Sequence, residues 1–284
     1  MPDGVERWLV FKDLSREGPM DPIWQIKAPF LHDPLREIEV YRDVLGPGGL
    51  SAPACVKVVC EADRGRYWLF LEKVEGDLLW QIGDMDVWQC AAEWLADLHA
   101  RFADRTRGLP LRLLVLDRDY HRRWIERAKS FAGRSGTSNG NGRELDWLAE
   151  RCQQAVDWLM GQPVTFLHGE FYPSNIIVES TVGGVRIRPV DWEMAATGPG
   201  IVDLAALASG AWDETKREKI ASAYLGALPA EFRPSPEALK EGLDRCRLLL
   251  AVQWLGWSND WTPPAEHTHD WMATAIELAE ALRP

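Results

Sequence analysis

The sequence predicts an α+β protein made of a small strand-rich N-terminal part and a larger helical part. Segments rich in β-branched and aromatic residues are concentrated in the first 76 residues. From residue 77 onward, apolar residues recur mainly at the three- and four-residue intervals that are typical of helices. One β-hairpin pattern, at residues 175–190, interrupts the helical part. We therefore divide the chain at this boundary, into residues 1–76 and 77–284, and expect a ligand-binding cleft between the two lobes.

Three strands are predicted in the N-terminal part, at residues 7–14, 54–62 and 66–74. The last two are separated only by a turn-like Asp-Arg-Gly sequence, which predicts a hairpin. Between the first and second strands, residues 33–49 show a helical pattern. Asp33 is suited to cap this helix, and Gly46 followed by proline is suited to end it.

The helical part begins with a strongly periodic segment at residues 87–102, for which Asp86 is the predicted cap. Residues 132–144 are rich in glycine, serine and asparagine, which predicts a loop between two helices. The chain is predicted to be helical again from about residue 201, with proline-rich breaks at 229–236 and 262–264.

Composition and charge narrow the possible partners. The formal net charge of −11 repels phosphate backbones, so we expect no nucleic-acid partner and consider a cationic small molecule more suitable. The five cysteines form no CxxC pair, which argues against a disulfide framework or a zinc site.

The sequence also gives a prediction of location. Charged residues are frequent among the first fifteen, which leaves no apolar core for a secretory signal. The longest strongly apolar stretch, residues 248–257, is too short to cross a bilayer and predicts a buried helix. We therefore predict a cytoplasmic protein without a membrane partner.

The residues that indicate chemistry lie in and after the segment FLHGEFYPSNIIVES, residues 166–180. Glu170 and Asn175 lie in its central loop, and Asp191 follows the second strand of the predicted hairpin. A hairpin would hold these side chains close together. Mg²⁺ prefers one or two such oxygen ligands together with phosphate oxygens, and the remaining Glu170 could accept a hydrogen bond from an attacking hydroxyl.

This pattern resembles a known enzyme family. His168-Gly169-Glu170, Asn175 five residues after Glu170, and Asp191 resemble the signature of the aminoglycoside phosphotransferase and choline kinase-like family. Further family-like features lie at residues 71–76 (LEKVEG), 95–100 (LADLHA) and 198–205 (GPGIVDLA). The resemblance spans nearly the whole chain and implies a two-lobed protein kinase-like fold, with a small β-rich N-lobe and a larger helical C-lobe.

The resemblance also implies roles for the residues that match the motif. Asn175 and Asp191 would bind Mg²⁺ that bridges the phosphates of ATP, and Glu170 would stand at the catalytic-base position. His168 and Asp203 would brace the catalytic loop. The reaction would be ATP-dependent phosphorylation of a hydroxyl on a small molecule such as an aminoglycoside, a sugar or an amino alcohol.

In the N-lobe, the family places a phosphate-binding lysine on the third strand, paired with a glutamate on the following helix. Lys12 is our first choice for this lysine because it lies in the better strand, and Lys27 is the second. Glu37 matches the helix position, with Glu39 as the alternative. The crossover segment that contains Glu72 would lie against the adenine, so this residue is included among the cofactor-binding positions.

Two departures from the family pattern bear on activity. The family's base is Asp, and Glu170 moves the carboxylate outward by roughly 1.5 Å, a displacement that can cost about 100-fold in rate. In addition, eleven residues precede Lys12, too few for the two strands and glycine-rich loop that cover the phosphates in the family, so the N-lobe is expected to lack its first strands. The alternative hypothesis is therefore a pseudokinase that binds nucleotide or a protein partner with little or no turnover.

A histidine and a group of tryptophans each allow a structural interpretation. His99, on the apolar face of its helix, is interpreted as structural. Four tryptophans (Trp254, Trp257, Trp261 and Trp271), with Asp260 and Asp270 nearby, are interpreted mainly as core, the alternative being an acidic aromatic wall for a cationic acceptor.

Overall fold

The computed structural model describes residues 8–15, 27–103, 105, 109, 112–135, 142–210, 212–258 and 269–282. The strands are β1 (Leu9–Asp13), β2 (Cys55–Glu61), β3 (Arg66–Glu72), β4 (Asp77–Leu78), β5 (Leu114–Val115), β6 (Val164–Leu167), β7 (Ile176–Thr181), β8 (Gly184–Pro189) and β9 (Ala196–Pro199). The helices after the first are α2 (Met85–Phe102), α3 (Arg118–Ser135), α4 (Gly142–Leu159), α5 (Ile201–Leu207), α6 (Glu214–Ala227), α7 (Pro236–Trp257) and α8 (Trp271–Ala281). Short 3₁₀ turns lie at Pro29–Leu31, Ala62–Arg64, Leu79–Gln81, Pro173–Asn175, Trp192–Met194 and Ala230–Phe232.

The first helix, α1, spans residues 36–48 and combines three consecutive segments. It begins as Arg36–Glu39, continues as a π-helix at Val40–Leu45 and closes with Gly46–Gly48. Two predicted boundaries are wrong. The N-cap residue is Leu35, whose backbone N–H is accepted by the Asp33 carboxylate, and the helix continues past Gly46 until Gly49 adopts the left-handed conformation.

The first sheet confirms the predicted N-terminal hairpin. Strand β3 lies between β1 and β2 and is antiparallel to both. Lys12 stands opposite Leu69 in the β1–β3 register. The first turn of α1 contacts the turn Trp192–Met194 from the C-terminal part. The N-terminal helix therefore packs against the residues that follow the second hairpin.

Helix α2 confirms the predicted helix but with a different cap. The cap residue is Asp84, whose carboxylate accepts the backbone N–H of Asp86, so Asp86 itself lies in the first turn. Leu95 and Leu98 on the predicted apolar face are completely buried. The helix therefore contributes its apolar face to the hydrophobic core, as its periodicity indicates.

Two further small sheets frame the predicted second hairpin. Strands β7 and β8 form this hairpin, and β4 adds to the outer side of β7. The third sheet has the order β5, β9, β6, with β5 parallel and β6 antiparallel to β9. Strand β9 closely follows the turn Trp192–Met194 and was not predicted, since its Ala-Thr-Gly-Pro sequence has little strand character.

The helical remainder packs around α7, which contacts α3, α4, α5 and α8. Residues 248–257 belong to this helix, and most of their side chains are buried, as predicted. The predicted loop 132–144 is wrong at both ends, because α3 extends to Ser135 and α4 begins at Gly142; residues 136–141 lie outside the described residues. Within the described ranges, no helix is both long and apolar enough to span a membrane.

Candidate active site

The second hairpin brings the three predicted oxygen-bearing residues together. At its base, the Val190 backbone N–H donates to the carbonyl of Asn175 at 2.9 Å, so Asn175 and Asp191 flank the same end of the hairpin. The Asn175 side-chain amide donates to the backbone carbonyl of Glu170 at 3.0 Å. These links fix the loop that carries Glu170 against the strand ends that carry the other two residues.

The loop is anchored from behind by Asp203. This carboxylate is completely buried and accepts the backbone N–H groups of His168 (2.7 Å) and Gly169 (2.9 Å), one on each oxygen. A carboxylate is the strongest acceptor available for buried amides, and this pairing satisfies both of its oxygens. Helix α5 is capped by Gly200, so Asp203 holds the loop and does not cap the helix.

His99 reaches the same anchor. Its imidazole Nε2 lies 3.5 Å from the Asp203 carboxylate, and its Nδ1 lies 2.9 Å from the Tyr224 hydroxyl. The sequence indicated only a structural histidine here, because Asp203 and Tyr224 are more than one hundred residues away along the chain. His99 is thus a buried support of the loop anchor.

Gly169 is a requirement of the loop geometry. Its φ angle is +86°, which L side chains rarely adopt, and a Cβ atom at this position would lie 1.9 Å from the Met194 carbonyl oxygen. The loop therefore packs directly against the backbone that follows Asp191. The glycine was visible in the sequence motif, but the close approach to Met194 was not.

His168 is neutral and serves as a rigid connector. Its Nε2 donates to the Val190 carbonyl at 2.9 Å, and its Nδ1 accepts the Glu170 backbone N–H at 3.3 Å. Burial lowers the pKa of His168 below its ordinary value, in agreement with one donating and one accepting nitrogen. Its ring centroid lies 4.4 Å from that of Trp192. The imidazole thereby links both sides of the hairpin base to the aromatic core.

Lys12 joins the N-terminal sheet to this loop. Its ammonium lies 2.7 Å from the Glu37 carboxylate and 2.7 Å from the Asp191 carboxylate. Glu37 also accepts the Trp192 backbone N–H at 3.1 Å. Burial alone would lower the pKa of Lys12, but the two carboxylates raise it well above its usual range, so the lysine stays charged.

The two acids respond differently to this lysine. Burial raises the pKa of Glu37 to about 6, and the effect of Lys12 only partly offsets that rise. Burial would also raise the pKa of Asp191, but Lys12 outweighs it and the net shift is downward. Asp191 is therefore the more firmly ionised of the two. Its backbone has a φ of +65°, the one positive φ of a non-glycine residue among those described. Such strain is typical of functional positions.

Glu170 lies among other acids. Burial is the main cause that raises the pKa of its carboxyl to about 8, and the carboxylates of Glu193 and Asp191 add to the rise. The ammonium of Lys27 acts in the opposite direction. The carboxyl that the motif places at the catalytic-base position is thus in an unusually negative environment.

The other N-lobe candidates have separate partners. Lys27, our second choice for the phosphate lysine, pairs with Glu193 at 2.5 Å. The alternative helix acid, Glu39, pairs with Arg112 at 3.2 Å. Arg36 is buried and donates to the Glu193 carbonyl at 2.7 Å, so it attaches α1 to the site. Sequence reasoning missed Arg36, since a basic residue at the start of a helix resembles an ordinary surface residue.

Glu72 lies at the end of β3, and its carboxylate is engaged. Arg188 donates to it at 2.5 Å, and the Ala54 backbone N–H donates to it at 3.0 Å. Gly76 follows shortly after, and a Cβ atom there would lie 2.3 Å from the Val178 carbonyl oxygen. The crossover is therefore held against the second hairpin at both of these points.

The late tryptophans divide into two groups. Trp257 lies against Trp124 in the core, with ring centroids 5.2 Å apart. Trp254 stacks on Trp271 at 5.6 Å and also contacts Tyr172 at 5.7 Å. Because Tyr172 lies in the loop after Glu170, this second group forms an aromatic wall beside the loop. Trp261 and Asp260 lie outside the described residues.

The donor set suits magnesium better than a softer metal. In the described ranges, no group of three or more His, Cys, Asp or Glu residues could hold a metal by itself. Asn175 and Asp191 offer one amide oxygen and one carboxylate. Such a pair is sufficient for Mg²⁺, which keeps waters and takes phosphate oxygens as its remaining ligands.

Comparison with protein families identifies the chain. The profile of the phosphotransferase enzyme family matches residues 26–241, which is most of the sequence. The chain belongs to this phosphotransferase enzyme family. The resemblance seen in the motifs is thereby confirmed. A comparison with curated protein sequences gives no significant match.

Solved structures show the fold of this family member. A microcompartment-associated aminopropanol kinase is 17% identical with a TM-score of 0.59, the match covering 96% of this chain and 82% of that one. An ethanolamine kinase from Plasmodium vivax is 15% identical (TM-score 0.55, 97% and 75% covered). A streptomycin–ATP complex of the aminoglycoside phosphotransferase APH(2″)-IIa is 16% identical (TM-score 0.57, 87% and 80% covered). These similarities confirm the two-lobed protein kinase-like fold.

Proposed function

We propose that this phosphotransferase transfers the γ-phosphoryl group of ATP to a hydroxyl of a small molecule with the help of Mg²⁺. The observation that carries the proposal is the double ion pair of Lys12, which links a strand lysine, a helix glutamate and the aspartate after the second hairpin. A lysine held in this way is not an unpaired buried charge before the nucleotide binds, and it is in position to bind the nucleotide phosphates. The ATP complex of a structural neighbour supports the choice of nucleotide.

In this proposal Asn175 and Asp191 would hold Mg²⁺, which when bound would supply positive charge that offsets the developing charge on the phosphate oxygens. Lys12 binds the phosphates that remain on the nucleotide, and Glu37 keeps the lysine in place. The crossover after Glu72 lies against the adenine. Since the Glu72 carboxylate already binds Arg188, its contribution is to hold the crossover in position.

Glu170 orients the attacking hydroxyl. The acceptor oxygen forms a bond to the γ-phosphorus, the bond from that phosphorus to the bridging oxygen of ADP breaks, and the hydroxyl proton passes to the Glu170 carboxylate. Asp203 and His168 keep the loop rigid, so Glu170 is already in position when the substrate binds. The products are ADP and a phosphate monoester.

The acceptor is proposed to be small and cationic, of the amino-alcohol, sugar or aminoglycoside type. The overall charge of −11 and the acids around Glu170 favour a cation. The aromatic wall of Tyr172, Trp254 and Trp271 offers ring faces to such a group. The names of the neighbours, an aminopropanol kinase and an ethanolamine kinase, agree with this chemistry. The same charge argues against nucleic acid as a partner, and we propose the cytoplasm as the location.

A pseudokinase is the second candidate, and Glu170 is the observation that favours it. The family pattern has Asp at this position, and the longer arm of Glu displaces the carboxylate relative to the substrate. The loop cannot move back to compensate for the longer Glu170 side chain, because Gly169 is packed against Met194. In that case the protein would bind nucleotide without useful transfer.

Thermal unfolding with ATP and Mg²⁺, combined with a transfer assay on a panel of amino alcohols and aminoglycosides, tests both candidates. The wild type should be stabilised in a metal-dependent manner and should release ADP with an acceptor. Asp191→Ala should abolish the metal-dependent shift, whereas Asp63→Ala, in the exposed β2–β3 turn, should keep it.

Glu170→Gln should keep the shift and lose transfer. Metal-dependent stabilisation without transfer to any acceptor would favour the pseudokinase, and full transfer by Glu170→Gln would disprove the base assignment.

A further inference from the structure

Lys27 is a buried cation on the Glu170 side of the site. Its side chain is only 4% exposed, and its ammonium lies 2.5 Å from the Glu193 carboxylate. A lysine this deeply buried carries a large desolvation cost that must be offset by nearby negative charge. The family match includes Lys27, but nothing in that match explains why a lysine should be buried at this point.

The Lys27–Glu193 pair is fixed to a rigid frame. Glu193 belongs to the turn Trp192–Met194, and Arg36 holds its backbone carbonyl at 2.7 Å. The Glu37 carboxylate holds the first amide of the same turn. Helix α1 therefore fixes the pair in its position just after Asp191.

Several acidic groups lie around this pair. Glu170, Asp191 and Glu193 bring three carboxyl groups to the region, and the charge of Lys27 acts on both Glu170 and Asp191. Lys12 is already committed to Glu37 and Asp191. Among the described residues, Lys27 is the cation whose charge acts on Glu170, whereas Arg36 acts on Glu193 from α1.

A phosphoryl group in transfer must enter this region. On the proposed function, it moves from a nucleotide held near Asp191 to a hydroxyl held near Glu170, with negative charge spread over its oxygens. Carboxylates without a compensating cation would repel it, since like charges that lie close together repel strongly where the protein partly excludes water.

We propose that Lys27 is a positioning residue which, through its pair with Glu193, sets the charge balance that lets the phosphoryl group approach Glu170. The two lysines that compete for one role in the sequence thus have two roles. Lys12 binds the nucleotide phosphates, and Lys27 acts where the phosphoryl group passes to the acceptor hydroxyl. This inference rests on the proposed function and assigns a separate task within the same site.

Binding of ADP, Mg²⁺ and aluminium fluoride tests the inference without requiring turnover, because the fluoride complex mimics the phosphoryl group between donor and acceptor. Thermal shifts are measured with ADP and Mg²⁺ alone and then with fluoride added, and the difference is the fluoride increment. Lys27→Met should keep the ADP shift and bind the fluoride complex about tenfold more weakly or worse. Lys27→Arg should keep the increment. Lys57→Met, an exposed lysine on β2, is the matched control.

Lys27→Met/Glu193→Gln removes one positive and one negative charge, so it should regain much of the increment. An undiminished increment in Lys27→Met, or one that stays lost in the double variant, would overturn the charge-balance role. Equal loss of both shifts in Lys27→Met would also overturn it, since that result indicates a purely structural lysine. These failures leave the proposed function intact, whereas absence of any ADP and Mg²⁺ shift in the wild type would refute the proposed function itself.

Discussion

The two sides of the candidate site are held by different forces. The loop side, from His168 to Asn175, is fixed by hydrogen bonds between side chains and its backbone amide and carbonyl groups, and by a glycine with no free space beside it. The N-lobe side is fixed by the ion pairs of Lys12 and Lys27. Backbone hydrogen bonds define one geometry, whereas ion pairs can exchange partners when another charge arrives.

This difference matches what each side would have to do. A base must be placed before the substrate binds, because catalysis depends on geometry that needs no rearrangement. The proposed phosphate-binding lysine, Lys12, must instead accept a new anion, so its present partners would keep it charged and close to the nucleotide. We therefore expect substitutions on the loop side to act through stability and those on the N-lobe side to act through ligand binding.

The largest effect is expected for Gly169→Ala. The new methyl group would overlap the Met194 carbonyl, and the positive φ would be strained, which together should lower the free energy of unfolding by roughly 4 kcal/mol. Urea denaturation followed by tryptophan fluorescence measures this change. Gly83→Ala is the matched control, since a Cβ atom there meets nothing within 4 Å. Equal stability of the two variants would show that the loop can move away from Met194.

A smaller effect is expected for Asp203→Asn. One oxygen is kept, but the new amide group would face a backbone N–H that has lost its acceptor, at a cost of about 2–3 kcal/mol for buried groups. Urea denaturation gives the stability, and amide hydrogen exchange of His168 and Gly169 shows whether the loss is local. Asp97→Asn, an exposed partner of Arg101, should change stability by less than about 0.5 kcal/mol. Unchanged exchange rates in Asp203→Asn would contradict the anchoring role.

The same division explains how far the sequence could predict the site. Local patterns sufficed for the second hairpin, for α2 and for the clustering of Glu170, Asn175 and Asp191, because hairpin pairing fixes the neighbours of nearby residues. The contact of Lys12 with Asp191 spans 179 positions and was not predicted, whereas the pairing of Lys12 with Glu37 followed only from the family resemblance. The contact of His99 with Asp203, the role of Arg36 and the separate partner of Lys27 were missed, since tertiary packing alone brings these residues together.

The smallest effect is expected on the N-lobe side, for Glu37→Gln. Glutamine can still accept the Trp192 amide, and Lys12 keeps Asp191, so the variant should lose only about 1 kcal/mol at low pH. The folded-state pKa of Glu37, about 6, lies above that of the unfolded chain, so ionisation is harder in the folded protein. The stability contributed by this group is complete below about pH 4.5 and declines as the pH rises through 6, by roughly 2 kcal/mol in total. Glutamine does not titrate.

The variant should therefore approach or exceed the wild type in stability between pH 5 and 8. Urea denaturation of both proteins across this range, in the presence of EDTA, measures the difference. A gap that widens as the pH rises would mean that the ionised Glu37–Lys12 pair stabilises the fold more than burial destabilises it. The N-lobe side would then be as firmly built as the loop side, and its ion pairs would not be free to exchange for phosphate.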